Sequence, residues 1–232
     1  MSHHDTDTSL QSPFNTLPPT VSALAILIVG IELLFQVGSL GIFGGPEAIG
    51  WRVSAIQQFG FFDSIFAAMA EQGRWPMEHV IRSLSYSVIH AGFTHAVMVA
   101  VFVLALGKMV GDTFGPVSVV LVFVIPAIVG ALVFSLFITT SVPLLGGYPG
   151  AYGLIGAYTF ILWVGLGAMH ENQMRAFSLI GFLMGIQLVF ALLFGNDPSW
   201  VADFAGFFAG FITAVFLVPG AVPRLIARLR RK

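Results

Sequence analysis

The chain contains no cysteine. Disulfides, iron–sulfur clusters and thiol nucleophiles are therefore excluded, and nothing follows about redox compartment. Charge is also scarce. Only 9% of the 232 residues are Asp, Glu, Lys or Arg, against about a quarter in an ordinary soluble domain. A soluble protein of this length could not cover its surface with so few charges. The net charge of −1 supplies no field that would attract nucleic acid. No internal repeat is visible, so an inverted-repeat transporter has no support.

What is present is apolar, at 57% of residues, and it falls in six runs: Val21–Phe43, Tyr86–Lys108, Pro116–Thr139, Ala151–Met169, Ala176–Phe194 and Trp200–Pro219. Each is long enough to cross a hydrocarbon core of about 30 Å at about 1.5 Å per residue. In lipid the backbone must satisfy its own hydrogen bonds, so the runs are helices. The fold class is an all-α membrane protein, a bundle of six transmembrane helices. Pro126 lies inside the third helix and is expected to kink it. Residues 1–20 read as a disordered tail rather than a cleaved signal peptide, because they lack a basic n-region. Residues 21–220 form the membrane domain and 221–232 a basic tail.

Lys and Arg set the orientation. Five lie in the stretch from Arg224 to Lys232, and Lys108 and Arg175 fall on the same side if the helices alternate. Arg52, Arg74 and Arg82 lie on the other side. The positive-inside rule puts both termini in the cytoplasm, and the expected location is a bacterial inner membrane. The first loop, about 44–85, is long but not polar. Trp51, Ala55, Ile56, Phe59, Phe62, Phe66 and Met69 recur at three- and four-residue steps, which predicts one amphipathic helix lying in the outer interface. Small residues mark helix contacts, since close backbone approach supplies packing in lipid. Gly206 and Gly210 on the sixth helix are expected to meet Gly153, Gly156 and Ala157 on the fourth. Gly181 and Gly185 mark the fifth.

Several segments, taken in order, resemble the rhomboid family of intramembrane serine proteases. Arg82 precedes His90 by eight residues, as the Arg of the family's first-loop Trp-Arg motif precedes its oxyanion histidine; Ile81 replaces the Trp. His90-Ala-Gly-Phe-Thr-His95 is similar to the H-x-x-x-x-H that opens the family's second helix. Leu106-Gly107 followed by Gly115 resembles that helix's end. Pro143-Leu144-Leu145-Gly146, leading into Tyr152-Gly153-Leu154-Ile155-Gly156-Ala157-Tyr158, looks like the entry to its fourth helix. Ala202-Asp203-Phe204-Ala205-Gly206-Phe207-Phe208-Ala209-Gly210 resembles the A-H-x-x-G-x-x-x-G of its sixth. The resemblance covers roughly residues 20–220 and implies a rhomboid-like bundle with a long first loop.

The departures fall on the chemistry. The family cuts with a Ser in G-x-S-G and a His on the sixth helix. One register places Tyr148 at the nucleophile position, with Pro149 in place of the following Gly. The other places Tyr152 there. Tyr148 is preferred, because Pro143-Leu144-Leu145-Gly146 then also aligns. Asp203 stands for the histidine, and Val99 for the Asn that assists the counterpart of His90. Acyl transfer needs a nucleophile whose proton a neighbouring base removes. A phenol of pKa ~10 gives a poor acyl intermediate from an amide, and a carboxylate of pKa ~4 is a weak base for it. Losing one member of such a dyad already costs orders of magnitude.

The resemblance therefore implies an inactive relative, leaning away from an enzyme. The expected role is binding or scaffolding another membrane protein through transmembrane helices, as the inactive iRhoms and derlins do. The rivals are an active rhomboid-type endopeptidase and an accessory subunit of a larger membrane complex. Partners are a membrane protein and the lipid bilayer, with no nucleic acid. No cofactor and no metal is called for: His90 and His95 would lie about 140° apart on a helix and read as satisfied interior histidines. Asp203 is expected to hydrogen-bond Tyr148, Tyr152 or His90. Glu32, with Gln36 one turn on, is an intramembrane carboxylate that reads as a structural or partner-facing hydrogen bond between helices.

Overall fold

The computed structural model describes residues 17–194 and 197–218. The expected disordered tail and the basic tail lie almost wholly outside the described residues. Among the described residues ten α-helices run in order: α1 Pro19–Ser39, α2 Trp51–Phe59, α3 Asp63–Gln72, α4 Met77–Val80, α5 Arg82–Ser85, α6 Phe93–Phe114, α7 Pro116–Phe137, α8 Tyr148–Ala168, α9 Ser178–Phe194 and α10 Trp200–Leu217. Six segments among the described residues are long and apolar enough to cross a membrane: α1, α6, α7, α8, Gln173–Phe190 and α10. Proline opens α1, α7 and α8 within the first two positions, where its missing N–H removes no helical bond. Gly115, at φ +92°, turns α6 directly into α7.

The bundle is built around α8. Every residue from Pro149 to Ala157 is buried, and small side chains make this half of the helix thin. A Cβ on Gly150 would lie 2.7 Å from Phe123 of α7, and one on Gly153 would run into Pro126. On the opposite side a Cβ on Gly206 would strike the Pro149 carbonyl, one on Gly210 the Gly153 carbonyl, and one on Gly156 the Phe207 carbonyl. The stripe expected between the fourth and sixth spans is thus the closest packing in the molecule, with Gly153 also serving α7. Pro126 lies inside α7 and leaves the Val122 carbonyl without its helical donor.

Two expectations fail. Gly181 and Gly185 mark no contact: nothing lies within 4 Å of a Cβ built on either. The face of α9 that carries these glycines is left without a neighbour among the described residues; just before the helix, the Phe177 ring lies 6.5 Å from Phe207 and 6.0 Å from Phe211 on α10. The first loop is also not one amphipathic helix. It breaks at Gly60–Phe61, because Phe61 leaves the helical path to form an antiparallel bridge with Leu144. The Leu144 N–H donates to the Phe61 carbonyl at 2.8 Å, and the Phe61 N–H to the Leu144 carbonyl at 3.3 Å. The bridge leaves the last carbonyls of α2 without helical partners. Arg82 supplies them, donating to the Gln57 and Gly60 carbonyls at 2.8 and 3.1 Å, and Ser85 donates to the Phe59 carbonyl at 2.9 Å.

Candidate functional site at the mouth of the central helix

Where α8 begins, the chain encloses a cavity of about 600 Å³ whose lining includes His95, Tyr148, Tyr152, Gln187 and Asp203. A larger groove, about 970 Å³, runs outside between α7 and α10, and the polar groups of its lining side chains are the Thr213 hydroxyl and the Trp200 indole N–H. The Thr213 hydroxyl donates to the Ala209 carbonyl, so the groove offers acyl chains an apolar wall and no chemistry.

Both tyrosines that compete for one position in the sequence reach the cavity, since they stand four residues apart on one face of α8. Their ring centroids are 6.4 Å apart at 71°. Tyr148 stacks on His95, with centroids at 4.8 Å and planes at 21°. Asp203 is 2% exposed. Its hydrogen-bond partner differs from the expected Tyr148, Tyr152 or His90: Gln187 of α9 donates to Oδ2 at 3.0 Å. Among the described residues no hydrogen bond joins Asp203 to either tyrosine.

The histidines also differ from expectation. His90 is not on the helix: α6 starts at Phe93, so the helical angle between His90 and His95 does not apply. Their rings meet edge to face, 5.1 Å apart at 89°. His90, not His95, is the sealed one at 1% exposure, and its Nε2 accepts from the Gly147 N–H at 3.2 Å. An accepting Nε2 carries no proton, so His90 cannot donate from that atom into the cavity. His95 is the histidine that lines the cavity, and Val99, one turn further along α6, packs against Gly147. His95 Nε2 in turn presses on Gly146 and has no hydrogen-bond partner. Gly146 sits at φ +86°, and a side chain there would collide with the His95 ring.

Glu32 shows what the sequence missed. Its carboxyl is held by Arg52 in a two-pronged ion pair, 2.6 Å from Nη2 to Oε1 and 2.8 Å from Nη1 to Oε2. Gln36 adds a bond at 2.9 Å. Arg52 also donates to the His90 carbonyl at 2.7 Å and lies 5.2 Å over the Phe35 ring. One guanidinium therefore fastens α1, α2 and the turn that carries His90. A signal existed: a carboxyl in mid-span demands a cation, and the first loop holds only Arg52, Arg74 and Arg82.

The molecule is thus a polytopic helical membrane protein with a polar cavity at one end of its central helix. Residues 77–220 match the Rhomboid domain family, and the chain belongs to that family. No curated protein matches it. Arg82, His90, His95, Gly153, Gly206 and Gly210, the positions carrying the resemblance, all fall within the matched residues.

The Gln187–Asp203 bond ties α9 to α10. Asp203→Ala is expected to lower stability by about 1–2 kcal/mol, since it strands the Gln187 amide. In a chain of this size that is roughly a 2–8 °C fall in Tm. Asp203→Asn, which keeps the shape and an accepting oxygen, should lower it less. Thermal unfolding in detergent reads both, and equal effects would show that the hydrogen bond contributes nothing.

Proposed function

We propose that this rhomboid-family protein has lost proteolysis and binds or scaffolds another membrane protein. The observation that carries the reading is the pairing around the cavity. Asp203 is engaged at Oδ2 by Gln187, and among the described residues neither the Tyr148 nor the Tyr152 hydroxyl is hydrogen-bonded to a base that could take its proton. His90, the counterpart of the family's oxyanion histidine, accepts at Nε2 from the Gly147 N–H and so offers an oxyanion no donor from that atom. Either tyrosine then occupies the former nucleophile position without the means to act there, and Asp203 stands where the family has its histidine. Family resemblance implies a lateral entry for a client helix. The face of α9 that carries Gly181 and Gly185 suits that role, because nothing lies within 4 Å of a Cβ built on either. The seven-to-three split of Lys and Arg favours cytoplasmic termini, which turns the cavity toward the outer face of the membrane.

The test is direct. Purified protein in liposomes should neither cleave model transmembrane substrates nor take up a fluorophosphonate probe. Cleavage that disappears on changing Tyr148, Tyr152 or Asp203 would overturn the reading.

A further inference from the structure

The cavity at the mouth of α8 has a one-sided chemistry. Asp203 and Asp197 both line it, and no Lys or Arg does. Neither carboxylate has an ion-pair partner among the described residues. The nearby loop cations are engaged elsewhere, Arg52 on Glu32 and Arg82 on the carbonyls at the end of α2.

Two acceptor atoms of the lining have no partner. Gln187 donates its Nε2 hydrogen to Asp203 Oδ2, yet its own Oε1 is buried without a partner. Asp203 Oδ1 accepts no hydrogen bond and is not sealed off, although the residue is only 2% exposed. Beside these acceptors stand the two tyrosine rings of α8, 6.4 Å apart and tilted by 71°. Their faces can flank a cation, which aromatic quadrupoles attract. A group with several donors and no acceptor is what this lining lacks, and ammonium and guanidinium are the side-chain groups of that kind. An anion would meet two carboxylates instead.

Depth agrees. Asp203 stands one turn into α10 and Tyr148 is the first residue of α8, so the acceptors lie near the end of the spans. A Lys or Arg near the end of a membrane helix extends its charged head toward that level.

We propose that the cavity receives a single cationic group, a primary ammonium or a guanidinium, carried near the outer end of a client transmembrane helix, with Asp203 and Gln187 accepting its hydrogens and Tyr148 and Tyr152 flanking it. The proposal rests on the client-binding reading above and names what the client must carry. It is tested with full-length protein in liposomes and a leucine-rich membrane-spanning peptide bearing one Lys a turn from its outer end, compared by fluorescence energy transfer with the same peptide bearing norleucine there. The Lys peptide should bind roughly tenfold tighter, and in Asp203→Asn the two should bind alike. The melting temperature of Asp203→Asn, measured alongside, checks that the variant is folded. Equal binding of both peptides to the wild type, or a Lys preference that survives in Asp203→Asn, overturns the cation site and leaves client binding standing. A second arm uses benzylammonium and its effect on the wild-type melting temperature. If benzylammonium stabilises the wild type but not Asp203→Asn while neither peptide binds, the cation site stands and the client reading falls. No response in either arm overturns both.

Discussion

Replacing Glu32 by alanine, with Arg52 left in place, is expected to destabilise the protein by about 3–5 kcal/mol, the range for removing one partner of a buried ion pair. The Glu32 side chain is 1% exposed and that of Arg52 20%, so the stranded guanidinium would have little water to turn to. Arg52→Ala should be at least as harmful. It leaves the Glu32 carboxylate uncompensated and also takes the donor from the His90 carbonyl. Glu32→Gln should fall between, since an amide still accepts one of the two bonds. The double change Glu32→Leu with Arg52→Met is the informative control. Removing both charges avoids the stranded ion, and such replacements are often neutral, so it should cost less than either single alanine. Thermal unfolding in one detergent compares all four. A Glu32→Ala protein as stable as the wild type would mean that the pair does not hold the first loop to the bundle. A double variant worse than both singles would mean that the carboxylate and guanidinium act separately.

The pair also shows what the sequence could and could not disclose. The six spans were legible because lipid leaves the backbone one solution, and 19–24 apolar residues in a row state it. The contact of α8 with α10 was legible too, because small residues at helical spacing let backbones approach closely, although the same spacing at Gly181 and Gly185 marks no contact. The first loop was not. Its apolar residues keep a helical period through Phe59 and Phe62, but the chain turns aside at Phe61 to pair with Leu144. That pairing joins segments far apart in sequence, and no local pattern records it. Arg52 was hidden for the same reason: on a helical wheel it is one polar residue among several, and only the three-dimensional path of the loop brings it beneath Glu32.

The cavity was legible in its parts but not in its connections. Tyr148, Tyr152, His95 and Asp203 do line one space. The two histidines were read alike, as interior residues about 140° apart on one helix, whereas His90 precedes α6 and is sealed and His95 lines the cavity. The partner of Asp203 was missed because Gln187 sits in a span read as uniformly apolar. An amide in such a span needs a partner as much as a carboxyl does, and asking where it bonds would have led to α10.

The second large effect concerns the close contact of α8 with α10. Gly210→Ala is expected to destabilise by about 3 kcal/mol, at the upper end of what overpacking costs, and Gly210→Val by more. The new Cβ would fall on the carbonyl, carbonyl carbon and Cα of Gly153. These are backbone atoms inside a helix and cannot rotate away as a side chain can, so α8 and α10 must move apart. Gly206 meets the Pro149 carbonyl in the same way, one turn nearer the cavity. The control lies in the same molecule. Gly181→Ala and Gly185→Ala meet nothing within 4 Å, and each should be neutral or mildly stabilising, because alanine is the better helix former. The two close glycines should also fail to add. Once Gly210→Ala has separated the helices, a Cβ on Gly206 finds part of its room already made, and the double variant should cost less than the sum of the singles. Unfolding midpoints of the six variants, the Gly206→Ala single included, decide the matter. Equal effects at Gly210 and Gly185 would show that the α8–α10 approach is not what holds the bundle. Strict additivity at Gly206 and Gly210 would show that each carbonyl yields locally, without separating the helices.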